Sequence, residues 1–329
     1  MNMNSANTSR LGVLLAALLF PVVVHADAGL ASPAALSPRA AERTANAARA
    51  MMLDAERAGD RLVAVGDRGV ILLSDDHGRA WRQAARVPLD ATLTAVSFVD
   101  DRYGWAVGHW GAILHTEDGG DTWTTQRIDT DEDRPLFSVR FLDRQRGVAV
   151  GLWSLMLRTV DGGRTWTEVS LPSPEGRRAD ANLMHIFSDR SGALYAVGER
   201  GSVFRSRDGG DSWTAHATGY RGTFWSGTAL DDGALIVAGM RGSLYRSVDQ
   251  GAHWMAISTG SGSSITDVVQ IGGKVFAVAL DGVTLESSDD GLHFTLRQRA
   301  DRLSMTAAVA TGREQLTIFS RTGVLADRP

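Results

Sequence analysis

Six copies of one short motif constrain this 329-residue chain more than any other feature. The motif reads Ser/Thr-x-Asp-x-Gly-x-x-aromatic, and the copy from Ser206 to Trp213 represents it. Its aspartates are Asp76, Asp118, Asp161, Asp208, Asp249 and Asp289, and its aromatic residues are Trp81, Trp123, Trp166, Trp213, Trp254 and Phe294. Successive aspartates are 40 to 47 residues apart. A period near 40 residues, with short strand-like runs between turns, predicts a propeller or a solenoid.

Each copy has the residue types of a tight hairpin tip. We expect the aspartate to accept hydrogen bonds from backbone N–H groups one to three residues later, which folds the chain back without a strand ladder. The glycine two residues after the aspartate adopts positive φ without steric cost. The aromatic residue begins the return strand, and its full burial would contribute about 1.5–3 kcal/mol. The six copies therefore predict structural turns.

These copies resemble the Asp-box of the bacterial neuraminidase (BNR) repeat, a scaffold turn that does not itself carry catalysis. Each period also contains four short apolar runs bounded by turn residues, which is typical of short strands. A seventh period has three runs and no Asp-box, at Met305–Ala310, Leu316–Phe319 and Val324–Ala326. We predict an all-β fold, a seven-bladed β-propeller over residues 51–329, with six or eight blades as alternatives.

The first 50 residues precede the repeats. Arg10, the apolar run Leu11–Val24 and the small residue Ala26 predict a signal peptide over residues 1–26, with an uncleaved anchor as the alternative. The chain has no cysteine and so no lipid attachment site of a lipoprotein. Residues 27–50 are interpreted as a linker or covering segment. Within them, Ala28–Arg39 is the candidate for the outer strand that the seventh blade lacks, because closing the ring removes an unpaired edge.

One face of the propeller is predicted to bind a partner. Turns between second and third strands lie on the face opposite the Asp-box tips, together with the longer connections Asp129–Pro135 and Ser170–Asn182. One register of these turns holds Arg68, Trp110, Trp153, Arg200 and Arg241. Arginine and tryptophan are enriched at interface hot spots, and arginine suits bidentate recognition of carboxylates. The alternative is that these residues are ordinary solvated turn residues.

No catalytic residue, metal site or cofactor is predicted. The eight histidines show no metal-ligand spacing, and Gly260–Ser264 lacks the lysine and helix of a phosphate loop. Sialidases share the Asp-box, but their Phe-Arg-Ile-Pro stretch is absent. Carboxylate pairs of other glycosidases depend on proximity in space, and Asp267, Glu117 and Glu199 are weak candidates. The net charge of −4 gives no indication of nucleic-acid binding.

The blade sequence Arg61–Trp81 and the run Leu93–Gly108 are similar to those of the photosystem II stability/assembly factor family, which has bacterial relatives outside photosynthesis. The resemblance covers about Met51–Asp327. It implies a seven-bladed propeller that binds membrane proteins during assembly, without catalysis, through an arginine-bearing face that is carried here by Arg68, Arg200 and Arg241. Some bacterial relatives resemble partners of resistance-nodulation-division transporters, which suggests such a transporter as a client. Nothing in this sequence indicates photosynthesis.

Two functional hypotheses follow from these observations. In the first, the protein is a periplasmic or secreted, non-enzymatic scaffold that docks on an envelope membrane-protein complex through its Arg/Trp face. In the second, it is a secreted glycan-binding or glycoside-hydrolase propeller. A convergent carboxylate pair with perturbed pKa values would favour the second hypothesis, and a flat Arg/Trp surface would favour the first.

Overall fold

The structure is a computed structural model that describes residues 38–172, 180–312 and 315–325. Their strands form seven antiparallel sheets around a central channel, and the first strand of each sheet packs beside the first strand of the next. The predicted seven-bladed β-propeller is therefore confirmed. Six sheets have four strands, and the seventh has three within the described residues.

The strands of each blade follow one another outward from the channel. Blade 1 contains β1 (Met52–Ala58), β2 (Arg61–Gly66), β3 (Ile71–Ser74) and β4 (Arg82–Gln83), and blade 2 contains β5 (Leu93–Phe98), β6 (Gly104–Gly108), β7 (Ile113–Thr116) and β8 (Thr124–Arg127). Blade 3 contains β9 (Leu136–Phe141), β10 (Gly147–Gly151), β11 (Met156–Thr159) and β12 (Thr167–Glu168), and blade 4 contains β13 (Leu183–Ser188), β14 (Leu194–Gly198), β15 (Ser202–Ser206) and β16 (Thr214–Ala217). Blade 5 contains β17 (Phe224–Ala229), β18 (Leu235–Gly239), β19 (Leu244–Ser247) and β20 (Met255–Ala256), and blade 6 contains β21 (Ile265–Ile271), β22 (Lys274–Ala279), β23 (Val283–Ser287) and β24 (Thr295–Gln298). Blade 7 contains β25 (Met305–Ala310), β26 (Leu316–Ser320) and β27 (Gly323–Val324).

Short 3-10 turns are the helical elements of the described chain. One precedes the first blade, at Ala47–Arg49. The others join the second and third strands of blades 1 to 6, at Asp67–Gly69, His109–Gly111, Leu152–Ser154, Glu199–Gly201, Met240–Gly242 and Leu280–Gly282. The turns of blades 1 to 6 form the face that was predicted from sequence to bind a partner, and we call it the docking face.

The core is divided into clusters that lie between neighbouring blades. The second strands read as continuous apolar runs such as Leu235–Gly239, because both of their faces are covered by adjacent blades. Seven clusters of buried apolar residues fill the seven seams. Packing between blades therefore holds the ring together, since each sheet buries both of its faces against its neighbours.

Blade 7 has a short third strand and no fourth strand in the described chain. The segment Ala28–Arg39, predicted to supply that strand, lies outside the described residues except for Pro38 and Arg39, which belong to no strand. The segment between Arg39 and strand β1 contacts blade 1 and then blade 7. There Ala47 is buried in the cluster between these two blades.

Candidate functional site

The docking-face turns share an unusual backbone position. In each turn the middle residue adopts a left-handed conformation, with φ between 52° and 59° at Arg68, Trp110, Trp153, Arg200, Arg241 and Asp281. Left-handed backbone costs a non-glycine residue roughly 1–2 kcal/mol, so large side chains are uncommon there. The structure places all five residues predicted for partner binding at this one position of five successive blades.

Close approach of the backbone explains the glycines that precede these turns. The N–H of Asp67 donates to the Met51 carbonyl, 3.0 Å away, just before strand β1. A Cβ at Gly66 would overlap that carbonyl oxygen, so this position requires glycine. In blade 6 Ala279 takes this place and its backbone moves to φ −143° and ψ 173°. In blade 3 Ser154 adopts the positive φ of 56° that glycine has in the other turns, so this turn carries backbone strain.

The arginines of the docking face differ in their contacts. Arg200 forms an ion pair with Asp180, at 2.8 Å, and both side chains are more than half exposed. Arg68 and Arg241 are exposed, and no carboxylate within the described residues forms an ion pair with either of them. On the opposite face, Arg61 and Arg82 both form ion pairs with Asp121. Among the described residues, the docking-face turns therefore present two guanidinium groups without an ion-pair partner, those of Arg68 and Arg241.

The two tryptophans are exposed to different degrees. Trp153 is 58% exposed, the highest exposure of any aromatic residue among the large exposed side chains of the described chain. Trp110 is half-buried against the cluster between blades 1 and 2, so it projects less than expected from sequence. The backbone N–H of Trp153 donates to Asn182 Oδ1 at 2.9 Å, and that of Trp110 donates to Asp133 Oδ1 at 3.2 Å. Residues leading into the next blade thus fix both turns.

The acidic connection after blade 2 is partly neutralised, because two of its four carboxylates pair with neighbouring arginines. Arg127 pairs with Asp129 at 2.9 Å, and Arg134 pairs with Glu132 at 2.8 Å. In the next connection, Arg177 and Arg178 lie outside the described residues. The docking face therefore has two parts. Blades 2 and 3 contribute the tryptophans and paired charges, and blades 1, 4 and 5 contribute exposed arginines.

The Asp-box tips occupy the opposite face and are internally hydrogen-bonded. In the fourth copy, Asp208 Oδ1 accepts from the Ser206 hydroxyl at 2.8 Å and from the Ser212 N–H at 2.9 Å. The N–H donors are thus three and four residues after the aspartate, Asp211 at 3.1 Å and Ser212 at 2.9 Å, of which the first lies within the range expected from sequence and the second one position beyond it. The Trp213 indole N–H donates to the Gly210 carbonyl at 3.1 Å, which closes the tip.

The Asp-box aspartates are held in their charged form. Hydrogen bonds from the Ser212 side chain and backbone lower the pKa of Asp208 to about 2, and those from Thr165 lower the pKa of Asp161 to about 2. In blades 5 and 6 a histidine replaces the hydroxyl donor, and Nδ1 of His253 lies 2.6 Å from Asp249 Oδ2. These contacts engage the box aspartates in hydrogen bonds within their own turns.

A group of polar residues in the central channel was missed in the sequence analysis, apart from Asp267. The channel contains a cavity of about 200 Å³ lined by the first strands of all seven blades. Side chains on one strand accept hydrogen bonds from amides of the next: Asp54 from Val96, Ser97 from Phe141, Ser138 from Ile186, Ser226 from Val268 and Asp267 from Ala308. Each first strand has one edge without a neighbouring strand, and that edge faces the channel. The backbone N–H groups on it therefore need side-chain acceptors.

One ion pair reaches across non-adjacent blades in this channel. Arg140 Nη1 of blade 3 lies 2.9 Å from Glu56 Oε1 of blade 1, and Arg140 Nε donates to Ser188 Oγ of blade 4 at 3.1 Å. Glu56 Oε2 also accepts the N–H of Phe98 at 2.7 Å. His185 lies beside them, with Nδ1 3.4 Å from Ser138 Oγ. The channel therefore holds three carboxyl groups, one guanidinium and one imidazole.

Burial in the channel shifts the pKa values of these groups. Desolvation raises the pKa of Asp54 to about 8, assisted by the charges of Asp267 and Glu56 and opposed by the Val96 N–H. Desolvation also raises the pKa values of Glu56 and Asp267. The pKa of His185 falls to about 4, first because of burial and second because of the Arg140 charge. Burial thus shifts each of these groups toward its neutral form, and the Arg140 charge opposes that shift at Glu56.

The hydrogen bonds of the channel favour a structural role. Each oxygen of Asp54 accepts a backbone N–H, and Asp267 accepts two N–H groups and the Ser226 hydroxyl. Of the other glycosidase candidates, Glu117 is exposed in an Asp-box tip and Glu199 bonds to Asn182. Aligning the seven blades would have indicated these residues, because polar residues recur at two registers of the first strands, that of Asp54, Ser138, His185, Ser226 and Asp267 and that of Glu56, Ser97 and Arg140.

The described chain shows neither a cluster of metal ligands nor a membrane-spanning helix. No group of three or more His, Cys, Asp or Glu residues in residues 38–172, 180–312 and 315–325 could hold a metal ion. Over the same residues, no helix has the length and apolar character needed to cross a membrane.

Comparison with known proteins identifies one family. Residues 79–289 match the family described as photosynthesis system II assembly factor YCF48. A curated relative is the photosystem II assembly lipoprotein Ycf48 of Synechocystis sp. (strain ATCC 27184 / PCC 6803 / Kazusa), which is 38% identical over 58 residues. That alignment covers 17% of this chain and 17% of the relative.

Two solved structures share the fold. A structure titled "YCF48 bound to D1 peptide" has a TM-score of 0.67 and 21% identity, with 88% of this chain and 96% of that chain covered. YCF48 from Cyanidioschyzon merolae has a TM-score of 0.65 and 18% identity, with 84% and 95% covered. At these identities the two structures show a shared architecture.

Proposed function

This chain belongs to the photosynthesis system II assembly factor YCF48 family, and we propose that it is a non-enzymatic assembly or accessory factor for a membrane-protein complex. The family match over residues 79–289 carries the proposal, since the curated relative is named as an assembly protein. The predicted signal peptide over residues 1–26 supports export, with cleavage after Ala26 and a periplasmic or secreted location. The client is proposed to lie in the cell envelope.

We assign client binding to the docking face. The unpaired guanidinium groups of Arg68 and Arg241 and the exposed ring of Trp153 support this assignment. Unpaired arginines favour a client segment that carries carboxylates, because charge-assisted bidentate hydrogen bonds are among the strongest polar contacts. An exposed tryptophan adds a large apolar contact, as at interface hot spots. A resistance-nodulation-division transporter is the client class that the sequence resemblance suggests.

A crosslinked pull-down from the native envelope tests the assignment. Wild type is compared with a variant in which Arg68, Arg200 and Arg241 are all changed to Ala. A matched control changes Arg144, Arg146 and Arg190 to Ala, since these arginines are 58%, 54% and 71% exposed on the Asp-box face. The proposal expects one membrane protein, identified by mass spectrometry, to be captured by wild type and the control and lost from the first variant. Equal capture by both variants would exclude the docking face.

Glycoside hydrolysis is the second candidate, because three carboxyl groups with raised pKa values converge in the channel. Paired carboxyl groups with perturbed pKa values are typical of such enzymes. Their hydrogen bonds to backbone N–H groups argue for a structural role instead. Hydrolase assays on wild type and on the variants Asp54→Asn and Asp267→Asn separate an enzymatic role from a structural one. If wild type hydrolyses a glycoside and both substitutions abolish that activity in proteins that remain folded, the enzyme replaces the scaffold proposal.

A further inference from the structure

The seam between blades 7 and 1 differs from the other six. Side-chain hydrogen bonds cross each of those six seams, for example Asp54 to Val96, Ser97 to Phe141, Ser138 to Ile186, Arg205 to Gln250, Ser226 to Val268 and Asp267 to Ala308. Between blade 7 and blade 1, in the residues that the structure describes, no hydrogen bond or ion pair joins the two sheets. Apolar contacts such as Trp81 against Phe319, 5.4 Å between ring centroids, remain.

Residue identity at three positions accounts for this difference. At the register of Ser138 and Ser226, blade 7 has Ala307, which has no acceptor for the next blade. Blade 2 also has alanine there but uses Ser97 as its acceptor, and at the register of Ser97 blade 7 has Val309. At the register just before Ala307, Thr266 of blade 6 donates its hydroxyl to the Met305 carbonyl of blade 7 at 3.0 Å. The equivalent hydroxyl of blade 7, that of Thr306, is buried and has no hydrogen-bond partner in the described chain. The polar contacts that continue around the ring therefore stop after blade 7.

The segment that precedes the propeller spans this seam. Gln83 of strand β4 is 8% exposed and bonds to it twice, donating from Nε2 to the Glu42 carbonyl at 2.9 Å and accepting the Thr44 N–H at 3.0 Å. Farther along, Ala47 is 5% exposed in the cluster that includes Phe319 of blade 7. The Ala48 carbonyl lies so close to Gly323 that a Cβ there would overlap it. Residues 41–50 thus contact both blades.

We propose that residues 41–50 are a clasp that holds blade 7 against blade 1, and that the ring opens first at this seam when the clasp is released. Local opening occurs where few interactions must break, and this seam depends on apolar packing and the clasp. The clasp replaces, with backbone and apolar contacts, the side-chain hydrogen bonds that join the other blades. The inference does not depend on the identity of the client or on the docking face.

Hydrogen–deuterium exchange of the full mature chain tests the clasp. Gln83→Leu keeps the side-chain volume and removes both hydrogen bonds to the clasp. We expect amide exchange of peptides covering 52–58 and 305–310 to rise at least tenfold, with peptides covering 136–141 and 183–188 unchanged. Gln126→Leu is the matched control, because Gln126 donates to the Gly162 carbonyl, at 2.8 Å, across the seam between blades 2 and 3. It should leave exchange at 93–98 and 136–141 unchanged.

A second substitution tests the cause directly. Ala307→Ser, added to Gln83→Leu, places an acceptor at the register of Ser138 and Ser226. There it can share the N–H of Ala55, which donates to Asp54 Oδ1, as Ser226 shares the N–H of Val268 with Asp267. Exchange at 305–310 should return toward the wild-type rate, whereas Ala95→Ser, the same change in blade 2, should not restore it. The proposal is overturned if Gln83→Leu leaves 305–310 protected, if all blades lose protection equally, or if Ala95→Ser rescues as well as Ala307→Ser.

Discussion

Asp54 Oδ2 in blade 1 accepts a 2.9 Å hydrogen bond from the Val96 N–H in blade 2. This bond joins the first strands of two blades at the channel, where β1 has no neighbouring strand on its inner side. The same carboxyl group has a pKa of about 8, chiefly because of burial. A buried carboxyl group that joins two blades links the stability of the ring to pH, and the direction of its pKa shift sets the sign of that dependence.

Asp54 should make the protein less stable as the pH rises above about 4. A group whose pKa is raised by folding stabilises the fold fully below its unfolded pKa, here 3.8, and loses that contribution as the pH rises through about 8. The slope for one proton is at most about 1.4 kcal/mol per pH unit. Asp54→Asn cannot titrate, so its free energy of unfolding should fall less between pH 4 and pH 8. Denaturant unfolding at several pH values measures this, with Asp60→Asn, a 96% exposed side chain, as the control. Parallel curves for wild type and Asp54→Asn would contradict it.

His185 should have the opposite effect in a lower pH range. Burial and the Arg140 charge reduce its pKa from 6.5 to about 4, so folding favours the neutral imidazole. Its contribution is present above pH 6.5 and is lost as the pH falls toward 4. His185→Gln should remove this part of the acid destabilisation, whereas His109→Gln, on the exposed docking face, should not. The same unfolding series detects it, and an unchanged acid limb in His185→Gln would refute the assignment.

The sequence was sufficient for the fold because its strongest signals are local. The Asp-box residues specify a tip with contacts that span four residues, and the period between tips gives the blade count. The pairing of residues in the channel was not visible in the sequence for the opposite reason: Glu56 and Arg140 meet across 84 residues, and Asp54 and Asp267 belong to blades 1 and 6. Pairing of that kind appears only once the ring is closed. The left-handed position of Arg68 was likewise hidden, although the shared register of the arginines was visible.

Asp208 and Asp211 belong to the same Asp-box tip but should contribute unequally to the stability of the fold. Asp208 accepts hydrogen bonds from Ser206, Asp211 and Ser212, so Asp208→Ala should leave several donors unsatisfied and reduce the free energy of unfolding by about 2 kcal/mol. Asp211 pairs only at the surface, with Arg158 at 3.0 Å, so Asp211→Ala should cost about 0–1 kcal/mol. Chemical denaturation of the two variants compares them directly. Equal losses would show that the box aspartate has no special structural role.

Because Arg68 and Arg241 have positive φ, substitutions at these positions can test whether their side chains are functional or only tolerated. Left-handed backbone favours glycine, so Arg68→Gly and Arg241→Gly should each raise the free energy of unfolding by about 1 kcal/mol, because neither guanidinium has an ion-pair partner in the described chain. If the docking face binds the client, the same substitutions should weaken client capture. Arginine-to-alanine variants lose the guanidinium but keep the backbone strain, so they should weaken capture without stabilising the fold. Thermal unfolding together with the crosslinked pull-down measures both effects on the same proteins. Stabilisation with unchanged capture would mean that the arginines are solvated turn residues, and the client would then have to bind elsewhere on the propeller.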